Sequence, residues 1–236
     1  MTEQHNVVAH GEWIDARKAL LIKEKEFTRL RDELSRERRE LPWERVETEY
    51  VFSGPNGEES LADLFDGRSQ LVVYHFMFDP DAEWDEACKH CSFWADNFDP
   101  IVVHLNARDV TMVAISRAEL DKINRYEERM GWSFKWLSSD GSDFNFDYGV
   151  SFAPDEQETL VFNYGTLAPG GGEREGVSVF VKDEDEIFHA YSTYGRGVDM
   201  LNTAYHYLDI VPKGRGEEGN SPQYWVRRHD EYGGGT

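Results

Sequence analysis

Cysteine is scarce in this chain: of 236 residues two are Cys, Cys88 and Cys91. That is too few, and too close together, for a disulfide framework. Lysine is rare as well, with 8 Lys among 25 Lys+Arg against 46 Asp+Glu, for a formal net charge of -21. A surface this acidic repels phosphate backbones and anionic lipid, so neither nucleic acid nor a membrane is an expected partner. No apolar run approaches the ~18 residues that a membrane span needs. The first residues also show no basic region followed by an apolar one, the mark of a secretory signal. A cytoplasmic protein is expected. The acid excess suits a saline cytoplasm, where screening removes self-repulsion, and equally a merely solubilising surface. Hydrophobic residues at 39% and aromatics at 14% are enough for a core, which excludes global disorder.

The segment 12–41 places Leu20, Leu21, Phe27, Leu30 and Leu34 among dense opposite charges. This predicts an amphipathic helix laced with ion pairs and ended by Pro42. Its basic positions are balanced by neighbouring Glu, so it is read as an arm, packed on the domain or on a second subunit. A homodimer is therefore a possible assembly. After a short strand at 49–52 and a Gly-Pro-Asn-Gly turn, Ser60 is placed as the N-cap of a helix over 60–65. The run 70–78 reads as a buried strand, and 109–116 as a second. Between them a helix opens at Cys88, with Pro100 expected to kink or divide it. An amphipathic helix is expected over 117–130, closed by Gly131. Short strands are expected at 134–137 and 159–162, then a hairpin of 177–181 with 186–189, and a last helix over 197–208. The chain from Pro212 is polar and is expected to be a loosely attached tail. Three regions result: a helical arm (1–46), an α/β domain (47–212) and a polar tail (213–236). Strand, helix, strand, helix, hairpin and helix predict a mixed central sheet with helices on both faces.

The chemistry concentrates in Ala87-Cys88-Lys89-His90-Cys91. A Cys-x-x-Cys pair after a buried strand and at a helix start suits thiol-disulfide exchange. Free backbone N–H groups there favour a thiolate at Cys88, and Cys91, one turn on, can resolve a mixed disulfide. Lys89 and His90 add positive charge between them. A second reading remains open: two thiolates with His90, His75 or His104 could hold copper or zinc, making a metal carrier. A third is a redox-inert interaction module. Redox chemistry would require no cofactor and a thiol or disulfide partner.

Other positions carry weaker signals. Alternation places His75 on the face of Val73 and Met77, as a core residue or as a site residue near the cysteines. Arg117 stands at a strand C-terminal end, where sites gather in open α/β sheets. Phe144, Phe146 and Tyr148 with Trp94, Trp132 and Trp136 could wall a pocket or simply pack. The Gly170-Gly171-Gly172 turn has no following Lys and helix, so it is not a phosphate loop.

The runs Ser60–Arg68 and Leu71–Phe76 resemble the opening of peroxiredoxin and thioredoxin-like domains. Cys88–Asp99, His104–Thr111, Met130–Trp136, Gly141–Phe152 and His189–Asp209 together resemble, over nearly the whole chain, the family called domain of unknown function 899. That resemblance implies a thioredoxin-like fold and leaves the activity open. The chain departs from thioredoxins at Ala87, where they carry Trp, at Lys89-His90, where they carry Gly-Pro, and at Gly176, where they carry a cis-Pro. Arg174 and Gly176 are similar to the Arg and Gly that peroxiredoxins place before this strand. Asp85 stands where they need Thr or Ser.

Overall fold

The computed structural model describes residues 5–156, 161–165 and 170–233. Helix α1, His10–Arg39, forms one unit with its flanks up to Pro42, and none of its residues is buried. The rest of the chain is a second unit.

That unit is built on eight strands: β1 Glu44–Arg45, β2 Val51–Gly54, β3 Gly57–Ser60, β4 Gln70–His75, β5 Val110–Ser116, β6 Trp136–Ser138, β7 Gly176–Asp183 and β8 Glu186–Tyr194. They form one sheet in the order β1-β8-β7-β4-β5-β6-β2-β3. β4 is central because its Val, Tyr and His side chains suit a strand covered on both faces. It runs parallel to β5, with Val73 opposite Val113, and antiparallel to β7, with His75 opposite Gly176. The β4-to-β5 crossover carries α2, Lys89–Ala95, and α3, Phe98–Asn106. Helix α4, Leu120–Met130, leads to β6, parallel to β5. The β7–β8 hairpin and α6, Thr203–Leu208, follow. A βαβ unit joined to an antiparallel hairpin and a helix, in the order β8-β7-β4-β5, is the thioredoxin-like arrangement. No helix among the described residues is long and apolar enough to cross a membrane.

The sheet separates two cores. One face carries Tyr74, Phe76 and Trp136 against Cys91 and Trp94 of α2, Ile123 and Tyr126 of α4 and Tyr205 of α6. The other carries Leu71, Val73 and Phe180 against Leu64, Phe65 and Phe144, the last from the short helix α5, Phe144–Asp147. Helices or helical turns thus cover both faces. Fully burying one such aromatic or aliphatic side chain contributes about 1.5–3 kcal/mol of transfer free energy.

Several local expectations shift for identifiable reasons. Ser60 ends β3, and Asp63–Phe65 forms only a single 3-10 turn. The Ser60 N–H and hydroxyl both donate to the Asp63 carboxylate (2.8 and 2.6 Å), which fixes the turn. The crossover helix divides before Pro100, at Asn97, whose side-chain amide donates to the Phe93 and Trp94 carbonyls. Pro100 sits in the first turn of α3, where its missing N–H has no helical partner to lose. Helix α4 begins at Leu120, which leaves Arg117 in the preceding loop. Half of the expected strand at 159–162 falls outside the described residues, and Val161 and Phe162 belong to none of the eight strands. The last helix is split at Asn202, whose side chain accepts the Tyr205 N–H.

The segment beyond Pro212 is not a loose tail. Val226 is buried completely, and Trp225 donates its indole N–H to Glu217 (2.9 Å). Arg228 donates to the Ala87 carbonyl and to the Tyr126 hydroxyl, each at 2.8 Å. Arg129 ion-pairs with Asp230 and Glu231. The polar composition was misleading because these charges serve specific partners on α4 and just before α2.

Candidate active site

Cys88 caps α2 from the residue before its first turn. Its N–H donates to the Met77 carbonyl (3.2 Å), while the Met77 N–H points back to the Cys91 sulfur (3.4 Å). The residues just after β4 therefore clamp the cysteine turn from both sides. The Cys91 N–H lies 3.5 Å from the Cys88 sulfur, and the Ser92 hydroxyl donates to the Cys88 carbonyl. Ser92 is itself held by the buried Tyr126 hydroxyl at 2.8 Å. Both cysteines are free thiols; Cys88 is half-buried and Cys91 is buried.

The two thiols are made unequal by their surroundings. Cys88 is held well below the ordinary thiol range, first by the hydrogen bond from the Cys91 thiol. The His90 side chain and the Cys91 backbone N–H add to this against the opposing cost of burial. Cys91 is pushed well above that range by burial and by the negative charge at Cys88. α2 is a helix of 7 residues, so these specific hydrogen bonds carry the effect more than any long helix dipole. His90 outweighs Lys89, which occupies the first helical position without ranking among the main influences on Cys88.

Beside the pair lies a cavity of about 370 Å³. Tyr74, Cys91 and Trp94 line it from the sheet and α2; His90 and Arg174 stand on its walls. The Tyr74 hydroxyl is buried and makes no hydrogen bond of good geometry; its polar neighbour is the Cys91 sulfur. Burial raises its pKa well above the tyrosine range, and the Cys91 charge adds to that. Glu175, next to Arg174, is raised by burial, with the Cys88 charge adding and Arg174 opposing. Pro222 and Gln223 close the far side, so the C-terminal segment is part of the site's wall.

Of the expected residues, the structure brings Cys88, Cys91, His90 and Arg174 together. Arg117 is elsewhere: it ion-pairs with the buried Glu173 (2.9 Å) and lies over the Phe146 ring. His75 faces the opposite core, hydrogen-bonded to Ser178 (2.8 Å) and stacked near Tyr148. A ligand set of Cys88, Cys91 and His75 is therefore not assembled, since the sheet stands between them. His104 is exposed on α3. Among the described residues no group of three or more His, Cys, Asp or Glu side chains gathers as a metal site. The alternation from Val73 to His75 holds but stops there, because β4 ends at His75; Met77 turns toward the cysteines. The aromatics separate likewise: Phe144 and Tyr148 pack on the His75 face, and Trp94, Trp132 and Trp136 on the other.

Tyr74, Glu175 and the wall from 222–223 escaped the sequence reading. Alternation along β4 separates Tyr74 from His75, but periodicity alone does not say which face meets the cysteines. Nothing in the local sequence signals that a segment so far along the chain closes the cavity.

The family described as "Bacterial protein of unknown function (DUF899)" matches residues 2–232. The chain belongs to this family. No curated protein matches the chain. Among solved structures, a cysteine-to-serine mutant of peroxiredoxin Q from Xanthomonas campestris is similar at 14% identity and TM-score 0.44, over 66% of this chain and 90% of that one. Peroxidoxin BcpB from Mycobacterium tuberculosis is similar at 14% identity and TM-score 0.47, over 68% and 93%. A cysteine-to-serine mutant of the peroxiredoxin 6 of Arenicola marina is similar at 14% identity and TM-score 0.46, over 71% and 74%. For this DUF899 member the chemistry rests on its own site.

Proposed function

We propose that this DUF899 protein is a thiol-disulfide oxidoreductase. The observation that carries the reading is the inequality of the pair: a half-buried Cys88 held toward thiolate by Cys91 and His90, with a buried, protonated Cys91 one turn behind. The thiolate is the form that attacks a disulfide, and a nearby second thiol releases the product quickly. Cys88 Sγ attacks one sulfur of the substrate R–S–S–R. A Cys88–S–SR bond forms, and RS⁻ leaves and takes a proton. Cys91 then loses its proton and attacks Cys88 Sγ, which forms the Cys88–Cys91 bond and expels the second RS⁻. The substrate gains two electrons and the protein loses two. A thiol donor reverses the sequence to restore the dithiol.

The test is a redox titration of the metal-free protein, read by alkylation and intact mass. The proposal expects a cooperative change of two alkyl groups between about -300 and -120 mV, the span of dithiol proteins. Thiols that stay reduced throughout, or never alkylate, would sink it.

A further inference from the structure

The cavity beside the cysteine turn, lined by His90 and Cys91, holds two polar groups whose needs the described residues do not meet. One is the Tyr74 hydroxyl, buried on β4 and unpartnered. The other is the Arg174 guanidinium, whose hydrogen bond is to the Glu173 carbonyl (3.2 Å) and which forms no ion pair among the described residues. Arg196 adds a second, largely exposed guanidinium at the rim, loosely paired with Asp199 at 3.4 Å. His90 faces the same space.

Two acids, Asp199 and Glu175, share the cavity. Asp199 is engaged by Arg215 at 3.0 Å. Glu175 is raised by burial, while the neighbouring Arg174 charge favours its carboxylate. In a chain of net charge -21, a thiol site with an arginine that forms no ion pair among the described residues, and a buried hydroxyl that makes no hydrogen bond there, suits a ligand bearing acceptor oxygens. Size points the same way. About 370 Å³ is near the lower end for small-molecule sites. Pro222 and Gln223 wall it, and Arg228 holds the C-terminal segment against the Ala87 carbonyl beside Cys88. That wall leaves little room for a folded protein to present its disulfide.

We propose that the disulfide reduced here is a small carboxylate-bearing one, with a carboxylate seated on Arg174 and the Tyr74 hydroxyl while its sulfur meets Cys88. This rests on the oxidoreductase reading above. The balance is that of the exchange already written: a dicarboxylate disulfide becomes two carboxylate thiols, and the protein dithiol becomes the Cys88–Cys91 disulfide.

The experiment compares reduction of dithiodiglycolate (dianionic), hydroxyethyl disulfide (neutral), cystamine (dicationic) and insulin by the reduced full chain. Each rate constant is divided by that of dithiothreitol with the same disulfide, which removes intrinsic reactivity. The expected preference for dithiodiglycolate over hydroxyethyl disulfide is at least about tenfold, as one charge-assisted contact supplies. Arg174→Gln should remove most of that preference, Arg174→Lys should keep part of it, and Arg108→Gln, on the outer surface, should keep all of it. Equal normalised rates, a preference for cystamine, or insulin as the best substrate would overturn this inference and leave the redox pair standing. No reaction with any disulfide would remove both.

Discussion

Tyr74 and His75 are neighbours on β4, yet they enter different chemistry. His75 points into a core where polar groups answer one another. Its Nε2 meets Ser178 at 2.8 Å, Ser178 meets Ser192 at 2.8 Å, and Ser192 meets His189 at 2.7 Å. Its Nδ1 finds no partner, and the Phe144 and Tyr148 rings lie near the imidazole instead. Burial pushes His75 down to about 3, so it stays neutral and serves as a hydrogen-bonding core residue. Tyr74 points toward the cysteines, where its hydroxyl makes no hydrogen bond and Arg174 forms no ion pair among the described residues. A polar chain packed among aromatic rings reads as structure, and an open set of polar groups around a cavity beside a depressed thiol reads as a site. A buried histidine in the central strand was the more conspicuous sequence feature, and it is the one on the packed side.

The largest effect expected from this contrast lies at Cys88. Cys88→Ser should lower disulfide reduction on the order of 10³-fold or more. Cys91→Ser should instead accumulate a mixed disulfide on Cys88, visible by intact mass. If both variants behaved alike, the two thiols would not have the separate roles assigned to them.

Core truncation should divide the two faces next. Phe180→Ala, on the His75 side, removes a fully buried ring and should cost about 3–5 kcal/mol in denaturant unfolding. Alkylation of Cys88 in the folded variant should keep its native rate. A rate changed in step with stability would mean that the faces are coupled through the sheet.

A smaller effect is expected from Ser178→Ala. It leaves the His75 Nε2 buried and unpartnered, at about 1–3 kcal/mol. The redox midpoint should not move, and a shifted midpoint would place the His75 chain within the site.

The smallest effect is electrostatic. His90→Ala should raise the pH at which the Cys88 thiolate forms, read by ultraviolet thiolate absorbance. The sign for stability follows from linkage. Below the ordinary thiol pKa and above the depressed Cys88 value, the unfolded chain holds a proton that the folded chain has lost, so the reduced protein gains stability as pH rises. Above the ordinary thiol range Cys91 reverses the slope, because the folded state keeps its proton. His90→Ala should narrow the lower window. An unchanged titration would assign the depression to Cys91 alone.

The Cys-x-x-Cys pair, the buried strands expected at 70–78 and 109–116, which form over 70–75 and 110–116, the helix opening at Cys88 and the β7–β8 hairpin were legible in the sequence. Each is set by local chemistry: β-branched and aromatic runs, hydrophobic spacing, and a Gly or Asp that permits a turn. Gly131 shows this at one residue, since its φ of 66° closes α4 as its position predicts. The sequence also placed Arg174 next to the strand that flanks the cysteines. It did not reveal that Arg117 belongs with Glu173, that His75 faces away from Cys88, or that the polar end of the chain packs as a wall. Those outcomes depend on which face of β4 receives α2 and on where Arg228 finds acceptors. A strand's alternation defines two faces without naming them, and a surface charge names no partner. Local pattern set the elements and the reactive pair; packing across the sheet decided which of their neighbours became the site.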